Sequence, residues 1–112
     1  MNHRKHAQFD ASAKELALLA KSFSHPARVA ILLRLATADG CSCGGFVKEI
    51  PLAQATVSQH LAALVSSGLV IRTRQGTMSC YSISKVRMNR CSDVLQRFFS
   101  RIEEITRQKG CC

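Results

Sequence analysis

The sequence predicts a mainly α-helical domain that carries one small β-hairpin. Three observations lead there. Apolar residues recur at helical spacing over most of the chain. The run from Pro51 to Ile83 breaks that pattern once, with a Gly-containing turn between two alternating segments. Only 5% of residues are aromatic and there is no Trp, so the core must be built from Leu, Ile, Val and Ala, which suits short packed helices. At 112 residues and 46% hydrophobic, the chain is expected to form one domain with a small core.

The elements follow in order. Residues 1–9 read as a flexible basic arm, 10–109 as the folded domain and 110–112 as a short Cys-containing tail. A first helix is expected from about 10 to 23, with Leu16, Leu19, Ala20 and Phe23 on one face and Asp10 or Ser12 as N-cap. A second starts near His25-Pro26, because proline at the first turn has no N–H to lose. Its Val29, Ile31, Leu32, Leu33 and Leu35 make it the most apolar helix and the expected centre of the core. The segment CSCGG then marks a turn or a very short strand, followed by a short helix over about 45–49 that Pro51 ends.

A fourth helix is expected over 54–67. Val57, Leu61, Leu64 and Val65 form its apolar face, and Gly68 stands where a helix closes in the left-handed region. Two strands over about 69–74 and 77–84 meet at Gln75-Gly76. The last of about five helices runs from 85 to 109. Its stripe of Val94, Leu95, Phe98, Phe99, Ile102 and Ile105 is long for the end of a small domain. We read Leu95, Phe98, Phe99 and Ile102 as a homodimer interface through the terminal helices. Turn, helix and arginine-bearing hairpin in this order make a winged helix-turn-helix, a DNA-binding arrangement.

Charge supports a polyanionic partner. Net charge is +9, from 16 Lys and Arg against 7 Asp and Glu. Residues 50–71 carry no charge, whereas 72–90 hold Arg72, Arg74, Lys85, Arg87 and Arg90 and no acid. The uncharged stretch contains Pro51, Gln54, Ser58, His60 and Gly68, so it is not read as a membrane span, and no membrane partner is expected. The polar N-terminus MNHRKHAQF lacks a signal-peptide core, which makes the cytoplasm the expected location. No paired carboxylates, nucleophile triad or phosphate loop stand at useful spacing, so no enzyme is predicted.

These residues resemble the ArsR family of bacterial metal- and stress-responsive repressors over about 16–102. The resemblance is carried by ALLAKSFSHPARVAILLRL, ATVSQHLAALVSSGLV and RQGTMSCYSI. It implies a homodimer that binds a palindromic operator on double-stranded DNA and releases it when an inducer binds. It also implies that the fourth helix enters the major groove. Gln54, Thr56, Ser58, Gln59 and His60 then carry the groups able to bond base edges or phosphates, and Arg72 and Arg74 hold the backbone from the wing. The family usually has Ser where this chain has Ala53, so the reading helix is expected to lack its N-cap.

Six cysteines in a reducing compartment point to thiol chemistry rather than structural disulfides. Cys41 and Cys43 stand where arsenic- and cadmium-responsive members of the family carry Cys-x-Cys, although Gly44 replaces the acidic residue that often follows. Thiolates would take arsenite, antimonite, zinc or cadmium. Winged-helix topology would bring Cys80 in as a third ligand, with His3 and His6 of the arm as an alternative. A thiol-redox or reactive-sulfur switch is the competing reading. A third has no sensory role for the thiols. A soft-metal buffer or carrier on the same scaffold is the alternative from another class. From Val86 onward there is no His, which argues against a zinc site on the terminal helix. His25, beside Pro26, is read as structural.

Overall fold

The computed structural model describes residues 9–38 and 42–110, with the backbone alone at Cys43. The arm at 1–8 with His3 and His6, residues 39–41 with Cys41, and the Cys111-Cys112 pair lie outside the described residues. Helix α1 spans Ala11–Lys21 and α2 spans Pro26–Ala36. A two-residue strand β1 (Ser42–Cys43) leads into a 3-10 helix, Gly44–Glu49. Helix α3 (Gln54–Ser67), strands β2 (Val70–Gln75) and β3 (Met78–Ile83), and helix α4 (Lys85–Gln108) complete the domain. This is the expected winged helix-turn-helix.

Local chemistry sets most of the boundaries. Asp10 Oδ1 accepts the Ala13 N–H at 2.8 Å and starts α1. His25 Nδ1 accepts the Ala27 N–H at 2.9 Å, which caps α2 just ahead of Pro26. Helix α3 begins at Ala53 with no side-chain cap, and Gly68 ends it at φ +85°, where a residue with Cβ is strained. Ser84 Oγ accepts the Arg87 N–H at 3.2 Å and starts α4.

The core lies where α2 and α3 meet the sheet. Ile31, Val57, Leu64 and Leu69 are fully buried, and Phe46 of the 3-10 segment and Ile50 just after it join the same core. One expectation for α2 needs correction. Ala27, Ile31, Leu32 and Leu35 face inward, but Val29 and Leu33 are 40% and 64% exposed. The helix is apolar on nearly every side, so composition alone did not fix which face it buries.

The sheet has the order β1-β3-β2, antiparallel throughout. The register pairs Arg72 with Tyr81, Thr73 with Cys80 and Arg74 with Ser79. On the other edge of β3, Cys43 stands opposite Cys80. No single helix among the described residues is long and apolar enough to cross a membrane.

Only the first part of α4 packs on this core, through buried Cys91 and partly buried Met88, Val94 and Leu95. Every residue from Gln96 to Gly110 is exposed. The radius of gyration is 17.4 Å, against roughly 13 Å for a compact chain of this length. The exposed half of α4, beyond its contacts with the core, contributes to that length.

Candidate nucleic-acid interface

Helix α3 buries Val57, Leu61 and Leu64 against α2 and the sheet. That leaves its N-terminal polar residues outside. Gln54, Ser58 and Gln59 are exposed, and Thr56 is half-buried. This surface bears no charge, because residues 50–71 contain none. Its donors and acceptors are neutral amides and hydroxyls, suited to base edges.

The wing supplies the cations. Arg72 lies on the exposed β2 and its Nε donates to Ser79 Oγ at 3.2 Å, which steadies the guanidinium across the strand pair. Arg74 is exposed on β2 opposite Ser79. Ser58, Ala62 and Ser66 of α3 meet Arg72 and Tyr81 of the wing around an open cleft of about 360 Å³. The fold therefore brings Ser58 and Arg72 to one groove, while Gln54, Thr56 and Gln59 are not among the residues lining it.

Arg87 and His60 have roles within the fold that sequence reading did not assign. Arg87 reaches back from α4 and donates to the Ser67 carbonyl from Nε at 3.3 Å and Nη2 at 3.1 Å. It caps the C-terminal end of α3, where a cation meets the negative end of the helix dipole. His60 is half-buried. Its Nδ1 accepts from Arg28 Nε at 3.1 Å and its ring stacks on His25 with centroids 4.3 Å apart. Burial first, then the neighbouring His25 and Arg28, pushes its pKa below the ordinary histidine value. The signal was present in the sequence. Val57, His60, Leu61 and Leu64 fall at i, i+3, i+4 and i+7, a core-facing stripe.

Comparison with known proteins gives these features a context. Residues 23–73 match a known family, the helix-turn-helix domain. The ArsR-like transcriptional regulator from Rhodococcus sp. RHA1 has the same fold, with a TM-score of 0.72 at 22% identity over 87% of this chain and 88% of that one. The arsenical resistance operon repressor of Staphylococcus xylosus is 32% identical over 73 residues, 65% of this chain and 69% of that protein. The HTH-type transcriptional regulator YgaV of Escherichia coli is 37% identical over 83 residues, 74% of this chain and 84% of that protein. This chain belongs to the ArsR family of winged helix-turn-helix transcriptional regulators.

As an ArsR-family regulator it presents one further surface of note. Helices α1 and α4 enclose an open, apolar groove of about 810 Å³, lined by Leu16, Ala20, Leu95, Phe98, Phe99 and Ile102 among others. Phe98, Phe99 and Ile102 are 40%, 62% and 45% exposed, and Leu95 is half-buried. One edge of the groove is tied by a two-bonded ion pair, Arg90 to Glu15 at 2.8 and 2.6 Å. That pair holds the Glu15 carboxyl below its ordinary pKa.

The cysteines of this ArsR-family chain are only partly in view. Cys80 is buried in β3 and disulfide-bonded. Cys91 is a free, buried thiol, and burial raises its pKa, so it is a poor nucleophile. Among the described residues no three His, Cys, Asp or Glu side chains stand close enough to hold a metal ion.

Proposed function

We propose that the protein is a dimeric transcriptional repressor of the cytoplasm, released from a palindromic operator by a thiol-directed effector. In this reading Gln54, Thr56, Ser58 and Gln59 of α3 face the major groove, and Arg72 and Arg74 hold the phosphates. The observation that carries it is the pairing of a charge-free, exposed helix N-terminus with an arginine wing on a chain of net charge +9. Leu95, Phe98, Phe99 and Ile102 would bury the α1–α4 groove against a second copy. The projecting, phenylalanine-bearing half of α4 supports this, because monomeric proteins seldom leave such a contiguous apolar face in water.

For the effector, two readings use the same residues. Arsenite, antimonite or a soft divalent metal such as cadmium or zinc would be held by thiolates of Cys41, Cys43 and Cys80. The relative named an arsenical resistance operon repressor supports a response of this class. The disulfide at Cys80 favours the second reading, a thiol-redox switch, since a sulfur in a disulfide is not a thiolate ligand. The β1–β3 register makes Cys43 the proposed partner of that bond. Reduction would free the thiolates that the soft-ion reading requires.

The test is a DNA-binding titration with a duplex selected by the protein from a randomised library. Arsenite, cadmium, zinc and an oxidant are added in turn, and the series is repeated with Cys41→Ser, Cys43→Ser and Cys80→Ser. Release by arsenite or cadmium from the reduced protein alone supports the soft-ion site. Release by oxidant, lost in Cys43→Ser and Cys80→Ser, supports the switch. Release by none of the four rules out both, and failure to select any sequence rules out the repressor.

A further inference from the structure

His60 belongs to a cluster that links the reading helix to the helix beneath it. Three side chains make it. Arg28 of α2 donates from Nε to His60 Nδ1 at 3.1 Å and from Nη1 to the Lys21 carbonyl at the end of α1 at 2.6 Å. His25, the cap of α2, stacks on His60 at 4.3 Å with 29° between the ring planes, and its own Nδ1 accepts the Ala27 N–H. One guanidinium thus joins α1, α2 and α3, and one imidazole pair covers the joint.

We propose that His25, Arg28 and His60 set the angle of α3 on α2 for DNA reading, and that the clamp holds only while both imidazoles are neutral. The inference rests on the DNA-binding reading above. It makes His60 a positioning residue rather than a reader of bases.

The chemistry follows from which nitrogens accept. Each imidazole uses Nδ1 as an acceptor, so each carries its hydrogen on Nε2. An imidazolium has two N–H groups and no acceptor. Protonation of His60 therefore removes the bond from Arg28 and sets a second cation against the guanidinium. Protonation of His25 removes the cap of α2 and places a positive ring 4.3 Å from its partner. The charged and titratable groups that act on His60 are Arg28 of α2 and His25, the cap of that helix. Helix α3 itself bears no other titratable group. None of these would stabilise a proton on His60. Thr56 lies one turn before His60 and Gln59 adjoins it, so movement of this ring shifts the residues proposed to read the groove.

The sign of the pH effect separates this role from direct contact. An imidazole that touched phosphate would bind DNA more tightly as it gained a proton. The clamp predicts the reverse. The experiment measures DNA affinity of the full chain by fluorescence anisotropy, on a library-selected duplex, from pH 8 to pH 5 at fixed ionic strength. It compares wild type with His60→Asn, whose amide oxygen keeps an acceptor near the Nδ1 position and does not titrate. Protons on groups outside the clamp affect both proteins and cancel in the ratio.

Wild-type affinity should fall relative to His60→Asn as pH drops. The loss is roughly tenfold for each pKa unit by which the DNA-bound form disfavours the proton. A flat ratio, or one that rises, overturns the clamp. In free protein the His60 ring should titrate at higher pH in Arg28→Ala than in wild type by NMR, and an unchanged titration overturns it independently. A wild type that selects no sequence at pH 7.5 defeats the DNA-binding reading and this inference together. In that event the NMR measurement still reports separately whether Arg28 and His60 are coupled.

Discussion

Replacing Ala53 with serine should stabilise the protein by about 1 kcal/mol. Ala53 is the N-cap of α3 and already has extended dihedrals, φ −57° and ψ 138°, so a serine enters without moving the backbone. The first intrahelical bond runs from the Val57 N–H to the Ala53 carbonyl at 3.1 Å. The N–H groups of Gln54, Ala55 and Thr56 therefore have no acceptor one turn back, and a serine hydroxyl can take that of Ala55 or Thr56. Ala53 is exposed, so water serves these groups now, and the gain belongs near the middle of the roughly 0.5–2 kcal/mol range rather than at its top. Urea denaturation at fixed protein concentration reads it as a midpoint shift of roughly 0.3–1 M at unchanged slope. Ala53→Asp serves as the discriminating partner. It should stabilise at least as much, because a carboxylate also meets the positive end of the helix. If that end faces phosphate, the same charge should weaken DNA binding by roughly 1–2 kcal/mol, about five- to thirtyfold, and the penalty should shrink in high salt. A serine variant no more stable than wild type would refute the vacant cap. An aspartate variant with undiminished DNA affinity would refute the orientation of α3.

Phe98→Asp puts a carboxylate in the α1–α4 groove and should weaken self-association by at least roughly 2 kcal/mol, about thirtyfold, read by analytical ultracentrifugation. A dimer of unchanged strength would move the interface elsewhere. Gly68→Ala combines a left-handed φ of +85° with a Cβ only 3.0 Å from Arg87 Nε, which must leave the Ser67 carbonyl. Strain and lost bonds together should cost roughly 1.5–3 kcal/mol in urea. A double-mutant cycle with Arg87→Ala should show the two effects to be coupled rather than additive. Asp10 is held below the ordinary carboxylate pKa by the Ala13 N–H first and the Ser12 hydroxyl second. Its folded pKa is depressed, so the stability it lends is full above the unfolded value of about 3.9 and is lost as pH falls through the folded one. The stability gap between wild type and Asp10→Ala should therefore close below about pH 4, and a gap constant with pH would contradict the cap.

Where local chemistry decides, sequence sufficed. Pro51 ends the 3-10 segment and Gly68 closes α3, because one forces the residue before it out of helical geometry and the other supplies the left-handed exit. That the strand before the third helix adds to the second wing strand was expected from topology, which brought the Cys41/Cys43 segment toward Cys80; the register opposite Cys43 came from the structure. Long polar side chains were not legible. Arg87 stands in the sequence only as one of the cations at 72–90, and no local pattern marks its cap on α3, because a side chain that long reaches a carbonyl far away along the chain. His60 was assigned by its polarity, although its spacing from Val57 and Leu64 put it on the inward face. Polarity and period disagreed there, and a partner from another helix, Arg28, resolved the conflict in favour of period.

Strand β3 is where sensing and reading would meet. It is the central strand, bonded to β1 on one side and to the arginine-bearing β2 on the other. Cys80 faces Cys43 across one edge and Thr73 across the other, and the next residue, Tyr81, stands opposite Arg72. Four residues on, Ser84 donates its N–H to the Leu69 carbonyl at 2.9 Å and begins α4, the proposed dimer helix. Arg87 then binds the end of α3. A bond made or broken at Cys80 therefore acts one residue from the partner of Arg72, an arginine proposed to hold DNA, and four from the start of the helix that would fix the spacing of two reading heads. A palindromic operator depends on that spacing, since half-sites are met only at multiples of about 34–36 Å. An effector at Cys80 would need to move β3 only slightly to defeat both copies at once.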